Sequence, residues 1–214
     1  AFAIIHPSFD KNYPFPNLSG GGVAFKLAQA LLKDARSGLN ESERLAFEKW
    51  LLDLAAISTV ADMVPLLGEN RVLVKYGLIV LSKTKNLGLS CLFKTASIVP
   101  EKADAITIGF QIAPRLNAAG RMAHANTAYE LLTTDNLEEA IIIAHQLNKR
   151  NTERQNLTDK MVEEAIFQIG EIDASKSVVF AVKEGWNKGV IGLVASKLVQ
   201  EYARPAFVLS SENG

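Results

Sequence analysis

Apolar residues recur at helical spacing along most of this 214-residue chain, and near its end the pattern changes to short apolar runs. The helical spacing predicts amphipathic helices over 19–35, 42–57, 70–81, 87–95, 103–114 and 127–132. The residues expected on the buried face of the first helix are Val23, Leu27, Ala30 and Leu31. The second helix starts near Ser42 without a complete capping box, and a short strand is predicted over 2–5.

The stretch 136–169 holds neither glycine nor proline, so we predict one continuous helix there. Its two ends are apolar, whereas its middle, 148–156, is wholly polar. A helix that is packed at both ends and solvated between them is typical of a connection between two domains. The alternative is two helices separated by a polar loop at Asn151 and Thr152.

A strand, a helix and a second strand are predicted over 177–182, 189–202 and 205–209. This order indicates a βαβ unit, whose two strands lie parallel in an α/β sheet. One such unit leaves sheet edges exposed, and the sequence begins without an initiator methionine. We therefore expect the sequence to be a piece of a longer protein.

The composition is that of a globular protein with a sizeable core, since 48% of the residues are hydrophobic and 21% are charged. The net charge is zero, so any binding of a polyanion must come from a local cluster of cations. Cys91 is the single cysteine, which excludes an internal disulfide and predicts a packed thiol. No apolar run is long enough to predict a membrane span.

The stretch 112–122 places Arg115, Asn117 and Arg121 among alanines and a glycine, directly after an apolar run. Small residues let a backbone approach a ligand, and the guanidinium fork suits phosphate oxygens. One interpretation is therefore an anion site at the end of a buried segment, which His124 could also face. The other interpretation is a helix C-terminus, with Gly120 as its cap and cations complementing the helix dipole.

Asp62 is the single carboxylate of the apolar stretch 59–66. A buried carboxylate is unfavourable unless it is hydrogen-bonded or bound to a cation. Asp62 could therefore cap a helix or form an Asx turn ahead of Pro65. It could also bind Mg²⁺ or Mn²⁺, because both ions prefer oxygen ligands.

Two glycine-rich stretches are candidates for phosphate contacts. The first begins with Ser19 and Gly20, at the start of a predicted helix. The free N–H groups there could hold a phosphate. Alternatively, the stretch is a tight turn that packs the helix on a sheet. The second contains Asn187, Lys188 and Gly189 and follows a predicted strand, at the position where α/β sheets bind ligands. A turn anchored by the neighbouring tryptophan is the alternative there.

Taken together, these stretches resemble the DHH/DHHA1 phosphoesterase superfamily, and within it the bacterial exonucleases specific for single-stranded DNA. The matching stretches occur in the same order as in that family and extend over nearly the whole chain. They are 13–15, 18–27, 59–66, 115–121 and 185–196.

The resemblance implies an α/β protein with the C-terminal part of a DHH domain over 1–135, a connecting helix over 136–170 and the start of a DHHA1 domain over 171–214. It implies 5′→3′ hydrolysis of single-stranded DNA in repair and recombination, at a two-metal centre of Mn²⁺ or Mg²⁺. It also implies a cytoplasmic protein that has single-strand-binding protein or a helicase as a partner and no membrane contact.

The resemblance also implies roles for individual residues. Asp62 matches the last of the family's metal-binding aspartates, which makes it the expected catalytic and metal-ligating residue. The residues expected to contact DNA or phosphate are Arg115, Asn117, Arg121, Asn187, Lys188 and Gly189, and further candidates are Ser19, Gly20 and His124. Asn187 stands where some relatives carry histidine. The role that the resemblance leaves for Asn187 is therefore hydrogen bonding to nucleic acid, and not acid–base chemistry.

The family's other metal-binding motifs, Asp-x-Asp and Asp-His-His, do not occur in this sequence. The glycine-rich phosphate motif of the DHHA1 half is also missing, so we expect the fragment alone to be inactive. Three alternatives remain: a phosphoesterase for short oligonucleotides or cyclic dinucleotides, a non-catalytic replication scaffold, and a pure single-strand-binding module. The last is the least supported, because aromatic residues make up 7% of the chain and its charges balance.

Overall fold

The computed structural model describes residues 4–9, 12–34, 37–122, 126–171 and 176–211, with Arg121 and Met122 described by their helical backbone. Most of this chain is helical. The helices are α1 (Gly20–Lys33), α2 (Glu41–Trp50), α3 (Leu52–Ala61), α4 (Gly68–Leu81), α5 (Leu87–Thr95), α6 (Ala105–Thr107), a π-helix (Ile108–Ile112), α7 (Ala113–Met122), α8 (Asn126–Thr133), α9 (Leu137–Ile169) and α10 (Ile191–Tyr202). A 3₁₀ turn covers Pro100–Lys102, and the strands are β1 (Val179–Glu184) and β2 (Ala206–Ser211).

The prediction for the first helix is correct in extent and wrong about its buried face. Helix α1 buries Gly22 and Phe25, whereas Leu27 and Leu31 are 41% and 62% exposed. The buried side of α1 is the one that packs on α3, where Phe25 joins Ala55 and Leu73 in a small apolar cluster.

The helix predicted over 42–57 is two helices, α2 and α3, which meet at Leu51. A complete capping box starts α2, two residues before the predicted position. The Asn40 side chain accepts a hydrogen bond from Glu43 N at 3.0 Å, and the Glu43 carboxylate accepts one from Asn40 N at 2.9 Å. The prediction of an incomplete box at Ser42 was wrong because Asn40 supplies the capping oxygen.

The short strand predicted over 2–5 is not formed in the part of it that the structure describes. Ile4 and Ile5 have no regular secondary structure and are 74% and 61% exposed. The preceding residues, 1–3, lie outside the described residues.

The long helix is confirmed as one element, α9, and it connects two hydrophobic clusters. Its first half contributes Ala144 and Leu147 to a cluster with α3, α4, α5, α7 and α8. Its second half contributes Met161 and Ala165 to a cluster with β1, α10 and β2. Two clusters on one helix are compatible with the division at 135 and 170, which stays a prediction.

The βαβ unit is confirmed. Strands β1 and β2 pair in parallel, with Val179 opposite Ala206 and Ala181 opposite Val208. Helices α9 and α10 pack on this two-stranded sheet. Cys91 is 4% exposed within the first cluster, which confirms the packed thiol. No helix within the described ranges is long and apolar enough to cross a membrane.

Candidate metal and phosphate site

Asp62 lies at the C-terminal end of α3, as the residue that follows the last helical position. Its N–H donates to the Ser58 carbonyl oxygen at 2.9 Å, and its side chain is exposed. The interpretation of Asp62 as an N-cap or Asx turn is therefore wrong, because the residue ends a helix instead of starting one. The expected burial of its carboxylate is also wrong.

A carboxylate at a helix C-terminus is electrostatically unfavourable, because the helix dipole places partial negative charge there. In the described ranges no donor forms a hydrogen bond or ion pair with the Asp62 side chain. The next residue, Met63, adopts φ 53° and is 89% exposed. A cation near Asp62 would relieve this repulsion, so the position suits a metal or a cationic ligand better than a structural cap.

The residues present do not by themselves form a metal site. Among the residues that the structure describes, no group of three or more histidine, cysteine or acidic side chains lies close enough to hold an ion. Asp62 offers one monodentate or bidentate carboxylate, whereas Mg²⁺ and Mn²⁺ require about six ligands. The ion would therefore need ligands in addition to those described.

The N-terminus of α1 anchors the last turns of α3, close to Asp62 in sequence. Ser19 is 2% exposed, and its hydroxyl accepts a hydrogen bond from Gly22 N at 3.0 Å. Gly21 N donates to Ser58 Oγ at 3.1 Å. A Cβ atom on Gly21 would lie 2.4 Å from Ser58 Cβ, so glycine is required for this close approach. The Gly22 N–H is thus used in capping α1 and the Gly21 N–H in packing on α3, which favours the tight-turn interpretation over a phosphate cradle.

Arg115 lies in α7, immediately after the π-helix. Its side chain is half-buried, and Nη1 donates to the Gln111 carbonyl oxygen at 2.7 Å. Nε donates to Asn148 Oδ1 of α9 at 2.9 Å. Burial lowers the pKa of Arg115 below its ordinary value, and arginine remains protonated at neutral pH. Both acceptors are neutral, so the guanidinium keeps its full charge.

Helix α7 continues to Met122, so Gly120 is inside the helix and the prediction of Gly120 as a cap is wrong. Ala118 and Ala119 are fully buried, and small side chains here let α7 pack closely against its neighbours. Asn117 is exposed. Arg121 is one helical turn after Asn117, its side chain is not described, and His124 lies outside the described residues.

The middle of α9 contributes polar groups that the sequence interpretation did not assign to a site. Arg150 Nη1 donates to Thr127 Oγ1 of α8 at 3.2 Å, and Asn148 receives the Arg115 bond. Asn151 is 2% exposed and accepts from Arg154 Nη2 at 2.9 Å. The predicted solvation of this whole segment is therefore wrong for Asn151. The sequence pattern that could have indicated these polar contacts is a run of amides and arginines over 148–156 with a single carboxylate, Glu153.

The turn between β1 and α10 is organised by its own side chains. Trp186 is 6% exposed and donates Nε1–H to Glu164 of α9 at 2.8 Å. Asn187 Oδ1 accepts from Gly189 N at 2.8 Å. Asn187 and Lys188 are exposed at the carboxyl end of β1. The structure thus gives Trp186 the anchoring role and leaves the Asn187 and Lys188 side chains at the surface.

The structure joins Arg115 of α7 to Asn148 of α9, and Arg150 of α9 to Thr127 of α8. Helix α3 packs against the π-helix and α7. Within the described ranges no hydrogen bond or ion pair links Asp62, Arg115 and Asn187 to one another.

No family model matches the chain. The chain is 44% identical to the single-stranded-DNA-specific exonuclease RecJ of Bacillus subtilis, over 97% of this chain and 25% of that protein. It is 34% identical to the Escherichia coli RecJ, over 98% of this chain and 38% of that protein. The Thermus thermophilus RecJ is 36% identical over 99% of this chain and 29% of that protein.

Solved structures give the same result. The Thermus thermophilus RecJ in complex with Mg²⁺ superposes with a TM-score of 0.81 and 33% identity, over 96% of this chain and 31% of that one. A RecJ exonuclease bound to manganese gives a TM-score of 0.79, over 96% of this chain and 49% of that one. The chain spans about a quarter to two fifths of the length of the curated relatives. In sequence and in fold, this chain is therefore a segment of RecJ type.

Proposed function

We propose that this chain is the segment of a metal-dependent exonuclease for single-stranded DNA that supplies Asp62 to the metal centre. The observation that carries the proposal is the exposed Asp62 carboxylate at the negative end of α3. An exposed carboxylate in that position suits cation binding better than capping. The similarity to RecJ structures solved with Mg²⁺ and with manganese supports the same assignment.

Arg115 contacts the phosphate backbone of the DNA in this proposal, together with Asn117 and Arg121. Support comes from the half-buried guanidinium of Arg115, which is held in place by neutral acceptors and keeps its charge. A positioned arginine fork can bind phosphate oxygens in two parallel hydrogen bonds. Arg150 is a further cation for the same strand.

The second cluster contributes contacts through Asn187, Lys188 and Gly189, at the carboxyl end of β1. Ser19 acts as a positioning residue, because its hydroxyl contacts those of Ser58 and Thr59 and so holds the start of α1 against α3, and Gly20 stays a candidate phosphate contact from the sequence. His124, which lies outside the described residues, stays a candidate from the sequence. Residues 1–135 and 171–214 would belong to two domains joined by the helix at 136–170.

The metal centre would hold two ions of Mn²⁺ or Mg²⁺, which supply charge stabilisation for phosphodiester hydrolysis. Asp62 is one ligand, and the others come from residues that the structure does not describe or from outside this chain. The chain alone is therefore inactive in this proposal. The intact protein would degrade single strands 5′→3′ in repair and recombination, in the cytoplasm, with single-strand-binding protein or a helicase as a partner.

The test compares Asp62→Asn with the matched control Asp135→Asn in the full-length protein that contains this chain. Asp135 is also exposed, and the change removes the same charge. The measurement is Mn²⁺-dependent release of nucleotides from 5′-labelled single-stranded DNA. We expect Asp62→Asn to lower the rate at least about a hundredfold, because loss of a ligand disrupts the metal centre, and Asp135→Asn to leave it unchanged.

Several results would contradict the proposal. Full activity of Asp62→Asn would exclude Asp62 as a ligand. Binding of single strands without cleavage by the intact protein would favour a scaffold, and cleavage restricted to very short oligonucleotides would favour a different phosphoesterase. Mn²⁺-dependent cleavage by the isolated chain would show that it is not inactive alone.

A further inference from the structure

Asn70 is a buried amide in the first turn of α4, at the end of the segment that follows Asp62. Its side chain is 0% exposed. The segment 62–67 connects α3 to α4 and is mostly exposed. An exposed connection has few apolar contacts that could fix its conformation, so its hydrogen bonds to the rest of the fold decide how well it is ordered.

The Asn70 side chain bonds to two loops at once. Nδ2 donates to the Pro65 carbonyl oxygen at 3.0 Å and to the Asn17 carbonyl oxygen at 2.7 Å. An amide nitrogen carries two donor hydrogens, so each loop takes one of them. The first bond holds the chain three residues after Asp62, and the second ties it to the stretch that leads into α1.

The backbone is left-handed at both ends of this segment. Met63 adopts φ 53° and Gly68 adopts φ 49°. A Cβ atom on Gly68 would lie 2.8 Å from the Phe15 ring, so this end is closely packed. A left-handed conformation is unfavourable for methionine and persists where the surrounding structure holds it. The bond to Pro65 lies between the two positions and is placed to hold both.

The chain before Asp62 is held by the same region of the protein. Ser19 Oγ lies 3.2 Å from Thr59 Oγ1, and Gly21 N donates to Ser58 Oγ at 3.1 Å. The start of α1 therefore holds the last turn of α3, while Asn70 connects the chain after Asp62 to Asn17. Both flanks of the carboxylate are thus tied to the stretch 17–21.

Stability alone does not explain an amide at position 70. Asn70 Oδ1 is buried, and it has no hydrogen-bond partner in the part of the chain that the structure describes. A buried acceptor without a partner is unfavourable, and an apolar side chain of similar shape would avoid that penalty. The amide therefore contributes through its two donors, whose effect is to fix the position of the loops.

We propose that Asn70 is a positioning residue that holds the Asp62 carboxylate in place for cation binding by tying the segment 62–67 to the start of α1. The inference rests on the proposed function, in which Asp62 is a metal ligand. Asn70 acts through the main chain at Pro65 and contacts neither the ion nor the DNA. Groups that orient a ligand in this way raise the affinity of the site without entering it.

The experiment uses the full-length protein that contains this chain, with Asn70→Ala, Asn70→Leu and the matched control Asn86→Ala. Leucine has as many side-chain heavy atoms as asparagine but no donor. Asn86 Nδ2 also donates to a distant carbonyl oxygen, that of Leu132 at 2.8 Å, but it connects α5 to α8. Thermal unfolding verifies that each variant is folded.

The first measurement is hydrogen exchange of the peptide that spans 62–67, in the metal-free protein. We expect faster exchange in both Asn70 variants, because the segment loses the bond at Pro65, and unchanged exchange in Asn86→Ala. This readout depends on neither the ion nor the activity.

The second measurement is the Mn²⁺ concentration that gives half-maximal release of nucleotides from single-stranded DNA. We expect it to rise about tenfold in the Asn70 variants, with a smaller change in the rate at saturating Mn²⁺, and less than about twofold in Asn86→Ala. Asp62→Asn combined with Asn70→Ala should be no slower than Asp62→Asn alone, because Asn70 acts through Asp62.

Unchanged exchange over 62–67 in the Asn70 variants would overturn the inference. An equal rise of the Mn²⁺ requirement in Asn86→Ala would also overturn it, because lost stability would then explain both effects. Failure of both Asn70 variants to fold, with Asn86→Ala folded, would make Asn70 a structural residue only. An inactive Asp62→Asn beside Asn70 variants with a normal Mn²⁺ requirement would refute this inference and leave the proposed function intact, whereas a fully active Asp62→Asn would refute both.

Discussion

Arg115 Nε donates a hydrogen bond to Asn148 Oδ1 at 2.9 Å, and this bond connects α7 to the middle of α9. An amide oxygen orients the guanidinium without neutralising it, whereas a carboxylate would neutralise its charge. The bond also explains why an amide lies in the polar segment of a helix that is apolar at both ends. Four experiments test this relationship and other features of the fold.

Asn148→Ala removes the acceptor and leaves Arg115 half-buried with one fewer hydrogen bond. We expect the free energy of unfolding to fall by about 1 kcal/mol, because a lost bond to a charged donor is only partly replaced by water. We also expect affinity for single-stranded DNA to fall several-fold, since the guanidinium loses its fixed orientation. Urea unfolding and anisotropy with a labelled oligonucleotide measure the two effects. Asn156→Ala, an exposed position in the same helix, should change neither quantity.

Gly88→Ala tests the close approach of α5 to α8. A Cβ atom at Gly88 would lie 1.8 Å from the Leu131 carbonyl oxygen, so the two helices would have to separate. We expect destabilisation of about 3 kcal/mol or more. Gly192→Ala is the matched control, because nothing lies within 4 Å of its Cβ position in α10. The free energy of unfolding of that variant should rise by about 0.5–1 kcal/mol, because alanine has the higher helix propensity. Equal effects of the two substitutions in thermal unfolding would refute the packing argument.

Asp53 should make the stability of the chain depend on pH. Burial raises its pKa above the ordinary 3.8, and the hydrogen bonds from Thr84 and Leu54 N offset part of that shift. The Asp53 carboxyl therefore loses its proton at a lower pH in the unfolded chain than in the folded chain. The free energy of unfolding consequently falls as the pH rises above the ordinary pKa. Relative to Asp53→Asn, the wild type should therefore become less stable as the pH rises above the ordinary carboxyl pKa of 3.8. Urea unfolding of both proteins at increasing pH measures the difference, and a difference that does not change with pH would exclude the raised pKa.

The phenol of Tyr13 should have a pKa well above its ordinary value of 10.0. Burial raises the pKa of Tyr13 to about 12, with a further contribution from its hydrogen bond to the Glu69 carboxylate at 2.9 Å. Lys26 pairs with the other oxygen of Glu69 at 2.8 Å. The contribution of the protonated Tyr13 phenol to folding stability is fully present below pH 10.0 and is lost as the pH rises through about 12. The difference in phenolate absorbance between wild type and Tyr13→Phe reports this titration, and an inflection near 10.0 would contradict the network.

Residues whose position depends on local pattern were predictable from the sequence. The absence of glycine and proline predicted α9 as one helix, and the bounds of α5 match the predicted 87–95. The parallel pair of β1 and β2 followed from the order of strand, helix and strand. In each case the determining information lies within a short stretch of chain.

Features that depend on contacts between distant segments were not predictable. The buried face of α1 contains Phe25 rather than Leu27, because Gly21 lets α1 approach Ser58 of α3. Asn151 is buried although its neighbours are polar, since Arg154 supplies its hydrogen bond. For Asp62, the sequence predicted a functional carboxylate but not its exposure at the negative end of a helix.

The unbroken helix α9 holds the two hydrophobic clusters at a fixed separation along its axis. Leu147 of the first cluster and Met161 of the second are about 21 Å apart along its axis, at the ordinary helical rise. No glycine or proline interrupts the helix between them. Bending or tilting of the helix can therefore change how the two clusters face each other, but their separation along the helix cannot stretch. If the proposed DNA contacts of Arg115 and Asn187 are made by one strand, that strand meets them at a separation that the helix sets before binding.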